Sequence, residues 1–153
     1  MKKNLKIIAT GEEWIGNGIR SFLGIIKDSI MSSNEYILMT IYIITNKKII
    51  KYIKSALNRG VLVELFIYSQ DLNNRFLESK ELKELNKEYK YFNINVIRNK
   101  ILHAKVMVID YKKVILGSAN LTFGGMVKNY ELGFFIEDEI IAKKIITILK
   151  RLI

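Results

Sequence analysis

The chain has 153 residues, half of them hydrophobic, which is enough to bury a core and reads as a single domain over 1–153. It carries no cysteine, no proline and a single histidine, which excludes a disulfide framework, a cysteine-based zinc site and a histidine-rich metal centre. The net charge of +10, from 25 basic and 15 acidic residues, points to a polyanionic partner, although a proteome rich in Lys, Ile and Asn would leave the same mark. Met1-Lys2-Lys3 has the basic start of a secretion signal, but the apolar stretch Leu5–Thr10 is too short to complete one. No uncharged segment is long enough to span a bilayer, so a cytoplasmic protein without stable membrane insertion is expected.

In chain order, Leu5–Ala9 predicts a short strand, and Ile15, Ile19, Phe22, Leu23, Ile26 and Ile30 recur at the spacing of an amphipathic helix. Tyr36–Ile44 predicts a strand covered on both faces. Thr45-Asn46 then caps a helix whose inward face is Ile49, Ile50, Ile53, Ala56 and Leu57, and Gly60 ends it. Val61–Tyr68 follows as a buried strand, and the short joints of this β–α–β unit argue for parallel pairing. Asp71–Lys90 suggests a helix through Leu72, Phe76, Leu82, Leu85 and Tyr89, broken near Glu78-Ser79. Strands at Asn93–Arg98, His103–Asp110 and Val114–Gly117 come next, the last two joined by a hairpin turn at Tyr111–Lys113. Leu121–Lys128 reads as a loop, Glu131–Ile136 as a strand, and Asp138 as the cap of a final helix facing inward through Ile141, Ile145, Ile148, Leu149 and Leu152. The expected fold is α/β: a mixed, largely parallel sheet of about seven strands flanked by helices on both faces.

The chemistry concentrates in one stretch. His103 and Lys105 stand two residues apart, so on an extended chain both side chains leave the same face. A neutral imidazole beside a fixed cation can attack or protonate a phosphate without a metal ion, and neither metal nor cofactor is expected. Lys105 alternates with buried valines, where a charge lacking a partner is costly; an incoming phosphate would supply one. Asn120 can donate to phosphate oxygens beside Lys105. Asp110 ends a strand before a turn and reads as structural, and Gly117-Ser118 as a strand end.

The spacing His103-x-Lys105-x4-Asp110-x6-Gly117-Ser118-x-Asn120 resembles the signature of the phospholipase D superfamily, often called the HKD motif. Asn129-Tyr130-Glu131 is similar to the Asn-x-Glu that follows the motif in small bacterial nucleases of that superfamily. Ala56-Leu57-Asn58-Arg59-Gly60-Val61 resembles the family's A-L-x-x-R-G-V segment. The resemblance implies a phospholipase D-like fold and a metal-independent phosphodiesterase that works through a phosphohistidine. In that scheme one histidine attacks phosphorus and a second protonates the leaving oxygen. Lys105, Ser118 and Asn120 would hold the phosphate, Glu131 would accept a hydrogen bond from His103, and Asp110 and Gly117 would support the structure.

A chain with one histidine cannot supply both roles, and a two-fold homodimer sharing its site is the simplest remedy. The substrate expected from motif and charge together is DNA or RNA, cleaved as a non-specific endonuclease would cleave it. No helix-turn-helix or zinc finger is present to read bases, so any choice of target falls to a partner protein. A lipid phosphodiesterase is the alternative, with Leu121, Phe123, Met126 and Val127 meeting a membrane surface. A catalytically silent assembly module is a third reading, disfavoured by the intact motif.

Overall fold

A computed structural model of the protein describes residues 4–69 and 80–153. Among them, eight strands form one sheet: β1 (Leu5–Thr10), β2 (Arg20–Ser21), β3 (Tyr36–Ile41), β4 (Leu62–Tyr68), β5 (Phe92–Ile97), β6 (Val106–Ile109), β7 (Lys113–Gly117) and β8 (Glu131–Glu137). Their spatial order is β2-β1-β8-β7-β6-β3-β4-β5. Helices α1 (Phe22–Met31), α2 (Lys47–Asn58) and α3 (Lys80–Glu88) are apolar toward one side of the sheet, and α4 (Glu139–Lys150) covers the other. The mixed α/β fold expected from the sequence is what forms. Parallel pairing joins β3, β4 and β5 as well as β1 and β2, whereas β3–β6, β6–β7, β7–β8 and β8–β1 are antiparallel. The parallel share is therefore smaller than expected. The eighth strand is the two-residue β2.

The larger core lies between the sheet and α1 to α3. Phe22, Ile26 and Ile30 of α1 and Ile49, Ile53 and Leu57 of α2 pack there on Ile37, Met39 and Leu65. Asn46 caps α2 by accepting from the backbone N–H of Lys48 and Ile49 at 3.0 and 3.3 Å. Gly60 follows α2 with φ +85°, the left-handed conformation that glycine adopts without strain. Arg59 then links two helix ends. Its guanidinium donates to the carbonyl oxygens of Ile30 (2.7 Å) and Ser33 (3.2 Å), joining the Ser33 N–H and hydroxyl that also donate to Ile30 where α1 stops.

Several boundaries differ from the sequence reading. Helix α1 begins only at Phe22. Gly16, Asn17 and Gly18 all take positive φ, so Ile15 and Ile19 belong to a turn despite their helical spacing. β3 ends at Ile41, and Ile44 makes a separate bridge to Leu121. β6 begins at Val106, which leaves His103 and Lys105 on the segment leading into it. The expected loop after Leu121 contains a π-helical turn, Gly124–Lys128. The buried side of α4 is Ala142 and Leu149, with Ile145 and Ile146 beside them, while Ile141, Ile148 and Leu152 are exposed. Of the helix expected over 71–90, Lys80–Glu88 is observed; Leu72, Phe76 and the break at Glu78-Ser79 lie outside the described residues.

The β6–β7 turn explains Asp110. Asp110 and Tyr111 both take positive φ, at +51° and +58°, a pairing that suits the twist of a tight hairpin but strains L residues. Two contacts offset the strain. The Asp110 carboxylate accepts from the backbone N–H of Asn34, Glu35 and Tyr36 at 2.9–3.2 Å, and the Tyr111 ring stacks on Tyr36 with centroids 4.5 Å apart. Replacing Asp110 with Ala removes the shared acceptor and puts an apolar residue in the left-handed region. The expected loss is about 1–3 kcal/mol of stability, read as a lower midpoint in denaturant unfolding with an unchanged slope.

Candidate active site

Because β6 and β8 run antiparallel to β3, β7 and β1, the starts of the first two meet the ends of the others at one edge of the sheet. His103 and Lys105 enter β6 there, Ser118 and Asn120 leave β7, and Glu131 opens β8. The entering segment is held by Thr40 at the end of β3. Its hydroxyl donates to the Ala104 carbonyl (2.6 Å) and accepts from the Val106 N–H (2.9 Å), gripping the chain on either side of Lys105.

His103 and Lys105 are brought together. The Lys105 Nζ lies 3.3 Å from His103 Nδ1 and 3.4 Å from Nε2, and donates to the His103 carbonyl at 2.9 Å. Tyr42 forms one wall. The His103 ring meets it edge-on with centroids 4.9 Å apart, and the Lys105 ammonium stands 5.8 Å from the centre of the Tyr42 ring. Burial holds the Lys105 ammonium below the usual lysine range, and the nearby negative charge of Glu131 partly opposes this. Glu131 thus contributes to the field at the Lys105 ammonium.

Glu131 does not form the expected hydrogen bond to His103. Its carboxylate accepts instead from the Ser118 hydroxyl and from Asn129 Nδ2 (3.2 Å). Ser118 in turn takes the Leu132 N–H at 3.1 Å, and its own N–H donates to the Leu132 carbonyl at 3.1 Å. The carboxylate therefore orders the β7–β8 side of the site, and both imidazole nitrogens of His103 face the Lys105 ammonium.

Asn120 is seated more deeply. Its Oδ1 is buried without a hydrogen-bond partner, above a small cavity of about 30 Å³ shared by Lys105, Met39, Phe22, Ile115 and Gly117. A buried amide oxygen left unpaired is a costly arrangement, and such exceptions concentrate at functional sites. The backbone of Asn120 rests on Gly125 so closely that any side chain there would collide with it. Gly125 is pinned from both sides: Thr10 Oγ1 donates to its carbonyl at 2.7 Å, and its N–H donates to Thr122 Oγ1 at 3.0 Å. At Gly117 and Gly133 the ring of Phe22 presses onto bare backbone, which keeps the strand end carrying Ser118 flat against the core.

Asp110 lies at the far end of β6, where it performs the structural work described above. Thr40, Tyr42 and Thr10 are the site residues that sequence reasoning missed. Thr40 had a signal, being the single aliphatic hydroxyl in the otherwise apolar and aromatic run Tyr36–Ile41, whereas Tyr42 and Thr10 carried none. Among the described residues no three His, Cys, Asp or Glu side chains cluster, and no helix is long and apolar enough to cross a membrane.

Comparison with known proteins agrees with this layout. The family described as cardiolipin synthase, PLD-like domain, matches residues 26–153. The DISARM protein DrmC of Bacillus paralicheniformis is 26% identical over 144 residues, 90% of this chain and 59% of its own length. Cardiolipin synthase 1 of Staphylococcus epidermidis is 32% identical over 76% of this chain and 24% of its own, and phospholipase D of Rickettsia bellii 34% over 74% and 54%. The chain thus spans between a quarter and three-fifths of the length of these relatives. Among solved structures, Nuc of Salmonella typhimurium, a phospholipase D family member, superposes with a TM-score of 0.80 at 22% identity, covering 99% of this chain and 94% of that one. NucT from Helicobacter pylori gives 0.68 at 28% identity, covering 85% and 86%. Motif, sheet and site geometry converge with these matches: the chain belongs to the phospholipase D superfamily, within its PLD-like domain family.

Proposed function

We propose that the protein is a phosphodiesterase that cleaves nucleic acid through a phosphohistidine, with its active site shared between two copies of the chain. The observation that carries the reading is the juxtaposition of the His103 imidazole and the Lys105 ammonium, 3.3 Å apart, at the sheet edge where Ser118, Asn120 and Glu131 also converge. A phosphate seated on Lys105 and Asn120 would present its phosphorus to His103. The imidazole attacks and the ester oxygen leaves, taking its proton from His103 of the second copy. That second histidine then removes a proton from water, which attacks phosphorus and frees the first. Lys105 and Asn120 from both copies stabilise the charge that builds on the equatorial oxygens. Ser118 and Glu131 hold the opposite wall. The net charge of +10 supports a polyanionic substrate.

A lipid phosphodiester is the second reading. Phe123 is 62% exposed on the turn after the motif, beside Val127, Lys47 and Lys48, an apolar tip with cations such as meets an anionic membrane. One parallel assay separates the two. Purified protein in excess EDTA is expected to cut plasmid, single-stranded DNA or RNA and to leave phospholipid vesicles intact, and His103→Ala is expected to be inactive with its circular dichroism unchanged. Cleavage of the vesicles alone would establish the lipid reading; abolition by EDTA, or an active His103→Ala, would exclude the mechanism.

The shared site has its own test. Wild type and His103→Ala are denatured, mixed in equal amounts and refolded, so that random pairing leaves about a quarter of the dimers fully wild type. Activity is expected near that quarter of the value for the same total protein all wild type; independent sites would give about half.

Lys105 generates a pH dependence. Because burial lowers its affinity for protons, the ammonium is lost at a lower pH than for an exposed lysine. The alkaline limb of the kcat/KM profile is expected below the usual lysine range. Lys105→Arg, whose charge persists, should move that limb upward while lowering the maximum rate.

A further inference from the structure

We infer that the groove between the start of α2 and the turn after the motif seats an unpaired base of the strand being cut. Phe123 is its stacking surface, and Lys47 and Lys48 hold the neighbouring phosphates. The inference rests on the nucleic-acid reading above and adds the part of the substrate beyond the scissile diester. Phe123 and Val127 supply the apolar wall of the groove and Lys47 and Lys48 its cationic one, around about 250 Å³ of open space. All four side chains are exposed, Phe123 most notably for an aromatic ring. Among the described residues no carboxylate pairs with either lysine. Asn46 already takes the N–H groups of Lys48 and Ile49, so the charge offered to a ligand is that of the lysine side chains and not of the helix end.

Two segments running side by side join the groove to the site. One leads from Tyr42 to Lys47 and the other from Asn120 to Phe123. The Ile44–Leu121 bridge sets them parallel, and the N–H groups of Thr45 and Asn46 both donate to the Leu121 carbonyl, at 3.0 and 3.1 Å. Phe123 lies three residues beyond Asn120, a span of at most about 11 Å. A strand whose phosphate rests on Lys105 and Asn120 therefore passes the groove with its adjoining nucleotides. The ring also has a firm base. Phe123 opens the π-helical turn Gly124–Lys128, a form that recurs at functional sites. Thr122 Oγ1 and Thr10 Oγ1 anchor that turn through the N–H and carbonyl of Gly125.

The occupant is selected by what each candidate can do with one ring and two cations. A bilayer would gain the burial of one Phe and one Val, less than a single acyl chain supplies, and even that gives only marginal binding. Inside a duplex both faces of a base are covered by its neighbours, which leaves the ring nothing to stack on. An unpaired strand offers a free base face and a phosphate on either side of it. Stacking of this kind tolerates every base, in keeping with a chain that has no element for reading sequence.

The test compares oligothymidylate, an abasic strand of the same length, and bis-p-nitrophenyl phosphate, which ends at the scissile diester. Phe123→Leu keeps the apolar bulk and removes the aromatic face. It is expected to lower kcat/KM on oligothymidylate about 5- to 30-fold, and Phe123→Trp to preserve it. Neither should change the rate on the abasic strand or on the small diester. Lys47→Gln combined with Lys48→Gln is expected to weaken binding of both strands. It should also flatten the slope of log K against log salt by about 1.4, for two phosphate contacts at about 0.7 each. The wild type should cut oligothymidylate faster alone than annealed to oligoadenylate. No loss on oligothymidylate with Phe123→Leu, an equal loss on the abasic strand, or a duplex cut as fast as the single strand removes the stacking site and leaves the phosphodiesterase reading standing. Sedimentation of the wild type with anionic vesicles, together with unchanged cleavage of oligothymidylate by Phe123→Leu, assigns the groove to a membrane instead. A wild type that cuts no nucleic acid removes the function and this site together.

Discussion

A threonine hydroxyl ties the fold to its chemistry. Thr40 stands one residue before the end of β3, among residues that are apolar or aromatic, and uses its oxygen twice, as donor to Ala104 and as acceptor from Val106. The two bonds replace ladder pairing just where β6 has not yet begun, so the segment carrying His103 and Lys105 is fixed without being a strand. Without that grip the segment would be an ordinary surface loop. With it, a lysine is held half-buried between the sheet and the Tyr42 ring. Burial of the cation is costly until an anion arrives, which favours negative charge at this place.

The antiparallel turn of the sheet supplies the rest. In a fully parallel sheet every strand start lies at the opposite edge from every strand end, and the motif residues could not meet. Reversing β6 and β8 relative to their neighbours brings two starts and three ends to one edge. Gly117, Gly125 and Gly133 then let Phe22 and Asn120 close on bare backbone, so that Ser118 and Asn120 sit low against the core. Strain is kept at the opposite end of β6, where Asp110 and Tyr111 take left-handed conformations and are stabilised by contacts to residues 34–36.

Much of this was legible in the residues. The helix face at Ile49, Ile53 and Leu57, the Asn46 cap and the Gly60 stop are local signals, and local physics decides them. The motif spacing brings His103 and Lys105 together because two residues apart is one face of any extended chain. What was not legible depends on contacts between distant parts. Periodicity at Ile15 and Ile19 suggested helix, but glycines on either side of Asn17 turn the chain instead. The resemblance assigns the Glu131 carboxylate to His103; its donors are Asn129, two residues before it, and Ser118, set opposite by a β7–β8 pairing that no spacing encodes. On α4 the run of isoleucines gave apolar residues to both sides, and only packing shows that Ala142 and Leu149 face in.

The pairing of β1 with β8 carries a consequence for synthesis. β1 leaves the ribosome long before its six ladder partners at 131–136, and until they emerge its one other neighbour in the sheet is the two-residue β2. The β3–α2–β4 unit has no such delay, since its contacts are close in sequence. Folding during translation would therefore begin in the parallel half, while Leu5 and Ile7 wait unpaired and open to chance association. The edge bearing His103, Ser118 and Glu131 closes last, when β8 slides between β1 and β7. Until β8 has been made, the domain has a folded core and no site.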